Sequence, residues 1–472
     1  MILENEVPFW ANEGGKIKIS NADLLKFLEL NGFMQVKQSP TNYLLVRKED
    51  NKIRMSSVDE MIMFVSGYLL RNRLNDVYEV FVRGVGNYFS AKKRNFLPTV
   101  DLPNDRDTRD QGVFYFNNCY CEITKDEITI KSYDELPNVI WKNRIIDYEY
   151  NHKPTSEVGQ FEQFCINITN DDSKRFLTLK TILGYLLHRN KERGETAAII
   201  LYDENMTLNN ETHGGTGKTL LTNAISKVRE LIQFDGKAIK KESWFKNQRI
   251  EVTTDLVVYD DLNKVTSLEF FYNMLTTGVE IEKKRQDAIY LPFERSPKIT
   301  ITSNYPIKGP GGSSDKRRRF EFEIFNYYDE VFTPEVDFGN RFFGKDWSEY
   351  EWNKFYNFLI DCLKEYLDKG LLKSPKIKLD KNRLLNETCS EFIEFADKNF
   401  EPNRFLDKRI LERLFSKYYP NIDMTPHMFY KWCKIWSTEK GFLLKKENKG
   451  GVYSVKFLKK DDEVDNIIKE VV

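Results

Sequence analysis

No charge of either sign prevails in this chain. Lys and Arg number 72, and Asp and Glu also number 72. A global field that would attract a polyanion is missing, so any nucleic-acid contact must come from local basic patches. Long hydrophobic runs are missing too. The longest, Met61 to Leu70, is about half a membrane span and is flanked by Glu60 and Arg71, so no membrane partner is expected. The first residues, Met-Ile-Leu-Glu-Asn-Glu, lack the basic-then-apolar order of a signal peptide. A soluble, cytoplasmic protein is expected. Gly and Pro are not enriched, which argues against a long disordered tract. Cysteine is sparse, with six residues scattered along the chain. Cys119 and Cys121, two apart on a strand-like segment, read as buried free thiols, which suits a reducing compartment. No Cys/His cluster with zinc spacing is evident in the first 100 residues. Nor are strand-borne carboxylates found near a histidine there, so primase chemistry is not expected.

What is present is ample apolar material. The chain has 472 residues, 40% of them hydrophobic, enough for roughly three domains of ~150 residues. Residues 1–110 read as an α+β region, with Ser20 or Asn21 capping a helix, strands at Tyr43–Arg47 and Lys52–Met55, and a helix over about 58–73. The acidic run Asp101, Asp105, Asp107 and Asp110 reads as a solvated linker. Residues 111–194 hold strands and then helices with apolar residues at three-to-four spacing, collar-like in position. Residues 195–330 form a nucleotide-binding unit of α/β class. Residues 331–384 are a helical extension and linker, with one long helix over 349–369. Residues 385–460 read as three helices and a β-hairpin, the order of a winged helix. Residues 461–472 are an acidic tail.

Residues 211–225 carry the most chemistry. An apolar run, Ala197–Tyr202, precedes Thr212-His213-Gly214-Gly215-Thr216-Gly217-Lys218-Thr219, and a helix-patterned stretch from Leu220 to Ile232 follows. Strand, glycine-rich turn and helix make a phosphate cradle, with Gly214, Gly215, Thr216 and Gly217 bending the backbone around the anion. Lys218 would reach the β- and γ-phosphates of ATP, and the Thr219 hydroxyl would hold Mg2+. Thr212 stands where the P-loop pattern asks for its first glycine. The competing reading is a glycine-rich surface turn. His213 is a loop spectator or a nucleotide neighbour.

Three further segments extend the site. Leu256–Asp261 is a buried-type strand ending in two carboxylates. Placed beside the P-loop strand, it would bring Asp260 to the metal and Asp261 to the attacking water as general base. Lys298–Asn304 is a third strand with Asn304 at its tip, set to orient the water or the γ-phosphate. Gly278–Tyr290 reads as a hairpin whose basic tip, Lys283-Lys284-Arg285, suits a single-strand backbone; a plain surface hairpin is the alternative. Arg318 and Arg319, ahead of an alternating strand, offer a guanidinium for a γ-phosphate, and a ring or filament is required if that phosphate belongs to a neighbouring subunit. Residues 381–460 hold 17 Lys/Arg against 10 Asp/Glu. Lys431 and Lys434 on the third helix, and Lys445, Lys446 and Lys449 on the hairpin, are candidate phosphate contacts. A charged face on a protein-binding module is the alternative.

In this order the motifs resemble a superfamily 3 helicase, an AAA+-type ATPase of viruses, phages and mobile elements. The segments flanking the P-loop unit also resemble the poxvirus- and phage-type primase-helicase subgroup. The resemblance implies an α/β P-loop parallel-sheet ATPase core with a C-terminal winged-helix-like domain. It also implies a hexameric ring that moves along single-stranded DNA using ATP and Mg2+. In that family Lys218 and Thr219 would serve ATP and metal, Asp260 and Asp261 metal and water, Asn304 sensing, and Arg318 or Arg319 the trans-acting finger. Lys283 and Lys284 would track DNA. A primase or polymerase partner fits residues 1–110. An origin-binding initiator that contacts duplex DNA and a non-helicase oligomeric ATPase stay open beside it.

Overall fold

The computed structural model describes residues 8–38, 42–101, 106–153, 157–206, 216–239, 243–284, 288–373, 375–449 and 451–459. Near the N-terminus, the Ser20 side chain accepts a hydrogen bond from the Asp23 N–H and so caps the helix Asn21–Leu30. Helices Val58–Arg71 and Asn75–Tyr88 follow. They cover one face of a five-stranded sheet through a cluster that includes Phe9, Phe27, Phe33 and Phe81. The opposite face of that sheet presents Val36, Val46 and Ile53 to the central part of the molecule.

The central element is a second five-stranded sheet. Its strands are β1 (Ala198–Asp203), β2 (Leu231–Asp235), β3 (Leu256–Asp260), β4 (Lys298–Ser303) and β5 (Arg319–Ile324), all parallel, in the order β2-β3-β4-β1-β5. Alternate residues go to opposite cores. Ile199, Leu201, Val258 and Phe322 meet helices on one side, and Ala198, Ile200, Val257 and Ile301 meet the N-terminal sheet and residues 250–291 on the other. Burial on both faces explains why β1 and β3 read as nearly unbroken apolar runs. The helices Gln160–Asn167, Ser173–Leu187 and Glu349–Lys369 complete the first core, so residues from 114 to 363 share one hydrophobic cluster.

Three expectations are corrected. The helix that begins at Lys218, α1 (Lys218–Ser226), stops well short of Ile232, which instead lies in β2. The Arg229 guanidinium turns inward to the carbonyls of Leu187 and Val113, which redirects the chain toward the sheet edge. The strand bearing Asp260 is not the neighbour of β1, because β4 is inserted between them. The site is therefore built from β1, β4 and β3 in that spatial order. Finally, Asp107 is not solvated. It accepts hydrogen bonds from Arg189 at 2.7, 2.9 and 3.3 Å and from the Val113 N–H at 3.2 Å, with Arg229 at 3.8 Å. Burial opposes its ionisation, but Arg189 and Arg229 outweigh that and hold the carboxyl far below the usual range. The thiols of Cys119 and Cys121 are buried and free, and burial raises both.

The C-terminal module has helices Ser390–Asn399, Lys408–Tyr418 and Pro426–Glu439 and the hairpin Phe442–Lys449/Val452–Lys459, around Phe392, Phe415, Phe429 and Phe457. Asp407 caps the second helix, and Thr425 with Pro426 opens the third. Among the described residues no helix is long and apolar enough to cross a membrane.

Candidate functional site

The carboxyl ends of β1, β3 and β4 meet the first turn of α1. Gly217 starts α1 with φ of +107° in the left-handed region, and a Cβ there would lie 2.5 Å from the Phe164 ring. Only glycine satisfies both conditions without strain. Lys218 follows, and its ammonium bridges Asp203 at the end of β1 and the Asn304 Oδ1 at 3.0 Å just beyond β4. Asn304 Nδ2 donates to Asp261 at 3.2 Å. Asp260 Oδ1 accepts from the Thr302 hydroxyl at 2.6 Å, and Oδ2 accepts from Gln233 at 2.9 Å. The same Thr302 oxygen accepts the Asp261 N–H at 2.8 Å. Asp261 has φ of +53°, a conformation that aspartate tolerates better than most residues. Its carboxylate also pairs with Lys237, and this bond raises the lysine ammonium.

Lys218, Asp260, Asp261 and Asn304 thus converge on one connected network. They line a cavity of about 520 Å3 together with Thr216, Gly217 and Thr219. Its far wall is the segment Thr333–Phe342, including Pro334, Arg341 and Phe342. Gly214, Gly215 and His213 lie outside the described residues.

The donor set fits a triphosphate with Mg2+. The start of α1 offers N–H groups and a cation to phosphate oxygens. Thr219 and Asp260 offer oxygen ligands of the hard kind that Mg2+ takes, and each Asp260 oxygen keeps a lone pair after its protein hydrogen bond. One hydroxyl and one carboxylate on the protein side suit a metal that shares its shell with water and phosphate.

Three contributors escaped sequence reasoning. Asp203 follows the apolar run directly, and its position as the strand's last residue was the available signal. Thr302 sits in the alternation Thr300-Ile301-Thr302, one step ahead of the strand's polar end. Arg341, on the far wall and paired with Glu335 at 2.8 Å, carried no pattern at all.

The remaining candidates stand apart from the cavity. Arg319 begins β5 and is held within its own chain by Asp315 at 3.3 Å, Glu321 at 3.0 Å and the Ile307 carbonyl. Arg318 is half-buried over the Tyr272 ring at 4.6 Å. Strands Gly278–Ile281 and Ile289–Pro292 do form an antiparallel hairpin. At its tip Lys283 pairs with Glu251 and Lys284 is exposed, while Arg285 lies outside the described residues. On the C-terminal module, Lys431 and Lys434 are exposed at i, i+3 spacing on one face of the third helix. Lys445 and Lys446 are exposed on opposite faces of the hairpin, Lys446 lying 4.2 Å from the Tyr430 ring. The Lys449 side chain lies outside the described residues.

No protein-family model matches the chain, and no curated protein matches it. Among solved structures it is similar to the apo C-terminal region of NrS-1, at 13% identity and a TM-score of 0.40, covering 92% of this chain and 98% of that one. It is also similar to a JCV helicase, at 11% identity and a TM-score of 0.24, covering 58% and 65%. A third is the Drosophila ORC bound to DNA, at 9% identity and a TM-score of 0.18, covering 68% and 95%. These are remote likenesses.

Proposed function

We propose that this chain is an ATP hydrolase that drives movement along DNA, a helicase of the superfamily 3 type serving replication of a phage, plasmid or mobile element. One observation carries the reading: Lys218, Asn304, Asp261 and Asp260 are joined by direct or Thr302-mediated hydrogen bonds at the mouth of one cavity. Groups from the ends of two strands and a helix N-terminus converge where a triphosphate would lie.

In this reading Lys218 leaves Asp203 for the β- and γ-phosphate oxygens and draws charge from them as the bond to the γ-phosphoryl group lengthens. Thr219 and Asp260 hold Mg2+, which supplies charge neutralisation on the phosphate oxygens when bound. Asp261 accepts the proton of the attacking water, and Asn304 orients that water in line. Thr302 fixes the Asp260 carboxylate and the Asp261 backbone, so little reorganisation is needed at the moment of reaction. The wall at Thr333–Phe342 encloses the site and limits competing water. Arg318, held by Ser314 and the Tyr272 ring with no carboxylate partner among the described residues, is the better candidate for a finger on a neighbour's nucleotide, because Arg319 is tied to Asp315 and Glu321. A hexameric ring would align that finger with the next site and the Lys283-Lys284 tips with one DNA strand. Residues 1–110 would receive a primase or polymerase.

The test is ATP hydrolysis with and without single-stranded DNA. Stimulated turnover that Lys218→Ala abolishes supports the proposal, and strong turnover indifferent to any nucleic acid contradicts it. The exposed Lys431–Lys434 face of the winged-helix-like module favours a second reading, an origin-binding initiator that meets duplex DNA. Weak, steeply salt-dependent, sequence-blind binding by the full chain would exclude that reading.

A further inference from the structure

Asp203 and Glu204 are adjacent residues with opposite tasks. Asp203 closes β1 with its side chain almost wholly buried, and its partners are the Lys218 ammonium and the Thr216 hydroxyl. Glu204 grips the segment that leads to the C-terminal module. Its carboxylate pairs with Lys378 at 2.6 Å, and its carbonyl accepts from Asn382 Nδ2 at 3.1 Å. Asn205 adds a bond to the same Lys378 ammonium at 2.9 Å. One strand away, Glu323 of β5 accepts the backbone N–H groups of Ile377 at 2.6 Å and Lys378 at 2.8 Å. Helix Leu379–Glu387 begins there and packs against the third helix of the C-terminal module.

We propose that Asp203 and Glu204 form a two-residue switch that couples phosphate occupancy to the docking of the linker at Ile377–Arg383. This rests on the proposed nucleotide site at Lys218. A phosphate must compete with Asp203 for the lysine. Once Lys218 leaves, the buried carboxylate keeps one hydroxyl as partner among the described residues, and a poorly compensated buried charge is costly. Residues 203–204 shift to rehydrate it, and that shift weakens the hold of Glu204 on Lys378 and Asn382. The coupling runs through a contiguous set of hydrogen bonds and ion pairs, and it is reciprocal: a firmly docked linker disfavours phosphate at Lys218.

The experiment is hydrogen exchange on the full chain, read at the Ile377 and Lys378 amides. Lys218→Met withdraws the ammonium with no ligand added and should speed exchange there about 10-fold. Amides of the Glu349–Lys369 helix should not change. Saturating ATPγS with Mg2+ should have the same effect on the wild-type chain. Asp203→Asn, a neutral isostere and weaker competitor, should bind ATPγS about 10-fold more tightly. Lys378→Met, at an exposed position, should tighten nucleotide binding by the reciprocal route. Unchanged linker exchange in Lys218→Met overturns the switch. So does acceleration that is uniform over the chain, or weaker binding by Asp203→Asn. If the wild type binds no ATPγS while Lys218→Met still loosens the linker, the coupling stands and the nucleotide reading fails.

Discussion

Replacing Asp107 with asparagine removes one negative charge from between two buried guanidinium groups. The Asp107, Arg189 and Arg229 side chains are 0%, 1% and 2% exposed. Asparagine retains one acceptor oxygen for the Arg189 and Val113 N–H groups, but both cations lose the Asp107 charge. Breaking a buried pair on one side costs about 3–5 kcal/mol. That is a large fraction of the roughly 5–15 kcal/mol that holds a typical protein folded. At about 2–4 °C per kcal/mol for a unit of this size, the melting temperature should fall by about 6–20 °C. Differential scanning calorimetry on the full chain reads this directly. A second substitution, Arg189→Met, should cost much less in the Asp107→Asn background than in the wild type, because the two residues share one interaction. The pH behaviour has a definite sign. The folded carboxyl sits far below its unfolded value of about 3.9, so its contribution is fully present above that pH and is lost on acidification below it. A melting temperature for Asp107→Asn within about 2 °C of wild type would refute the reasoning.

Other outcomes follow from the same geometry. Thr302→Val keeps the shape but frees Asp260 and leaves the Asp261 N–H unpaired. ATP turnover should fall about 10–100-fold with little change in KM, and undiminished turnover would show that Thr302 does not orient the Asp260 carboxylate and the Asp261 backbone. Gly217→Ala places a methyl group against Phe164 in a left-handed backbone, at about 1–3 kcal/mol of strain. Both melting temperature and ATP affinity should drop, and Phe164→Ala should restore them only in part because the φ penalty remains. Burial, against the favourable field of Asp107, lowers the His188 imidazole to about 4. Acidifying from about 6.5 to about 4 should therefore destabilise the wild type, because the unfolded chain takes up a proton that the folded chain refuses. His188→Gln should flatten that part of the pH profile, and an unchanged slope would assign it to other groups.

The sequence made the chemistry of the site more legible than its assembly. Lys218, Asp260 and Asn304 stood out because each ends or follows an apolar strand, where parallel sheets place their reactive groups. Strand order did not stand out. Nothing local in Leu256–Asp260 says that β4 will insert beside it, since this depends on the crossover from Asp261 to Pro297. Asp107 was misread for a related reason. Its neighbours in sequence are charged or polar, and the two arginines that bury it, Arg189 and Arg229, lie far along the chain. The same holds for Arg319, whose partners Glu321 and Asp315 are close in sequence but are aligned only by the turn into β5. The end of α1 was overrun because Leu231 and Ile232 continue an apolar periodicity that the edge strand β2 uses instead. Asp203 was visible in the sequence, but only the geometry shows that it holds Lys218.

The most direct measurement is steady-state ATP hydrolysis by Lys218→Ala, Asp260→Ala, Asp261→Ala and Asn304→Ala, with the Asp261→Ala/Asn304→Ala double variant alongside. If these residues form one triphosphate–Mg2+ site, each single change lowers kcat by roughly 100-fold or more, and the double variant loses little beyond the worse single, as expected for groups that act as a unit. Wild-type turnover in Lys218→Ala, or independent additive losses in the double variant, would contradict it.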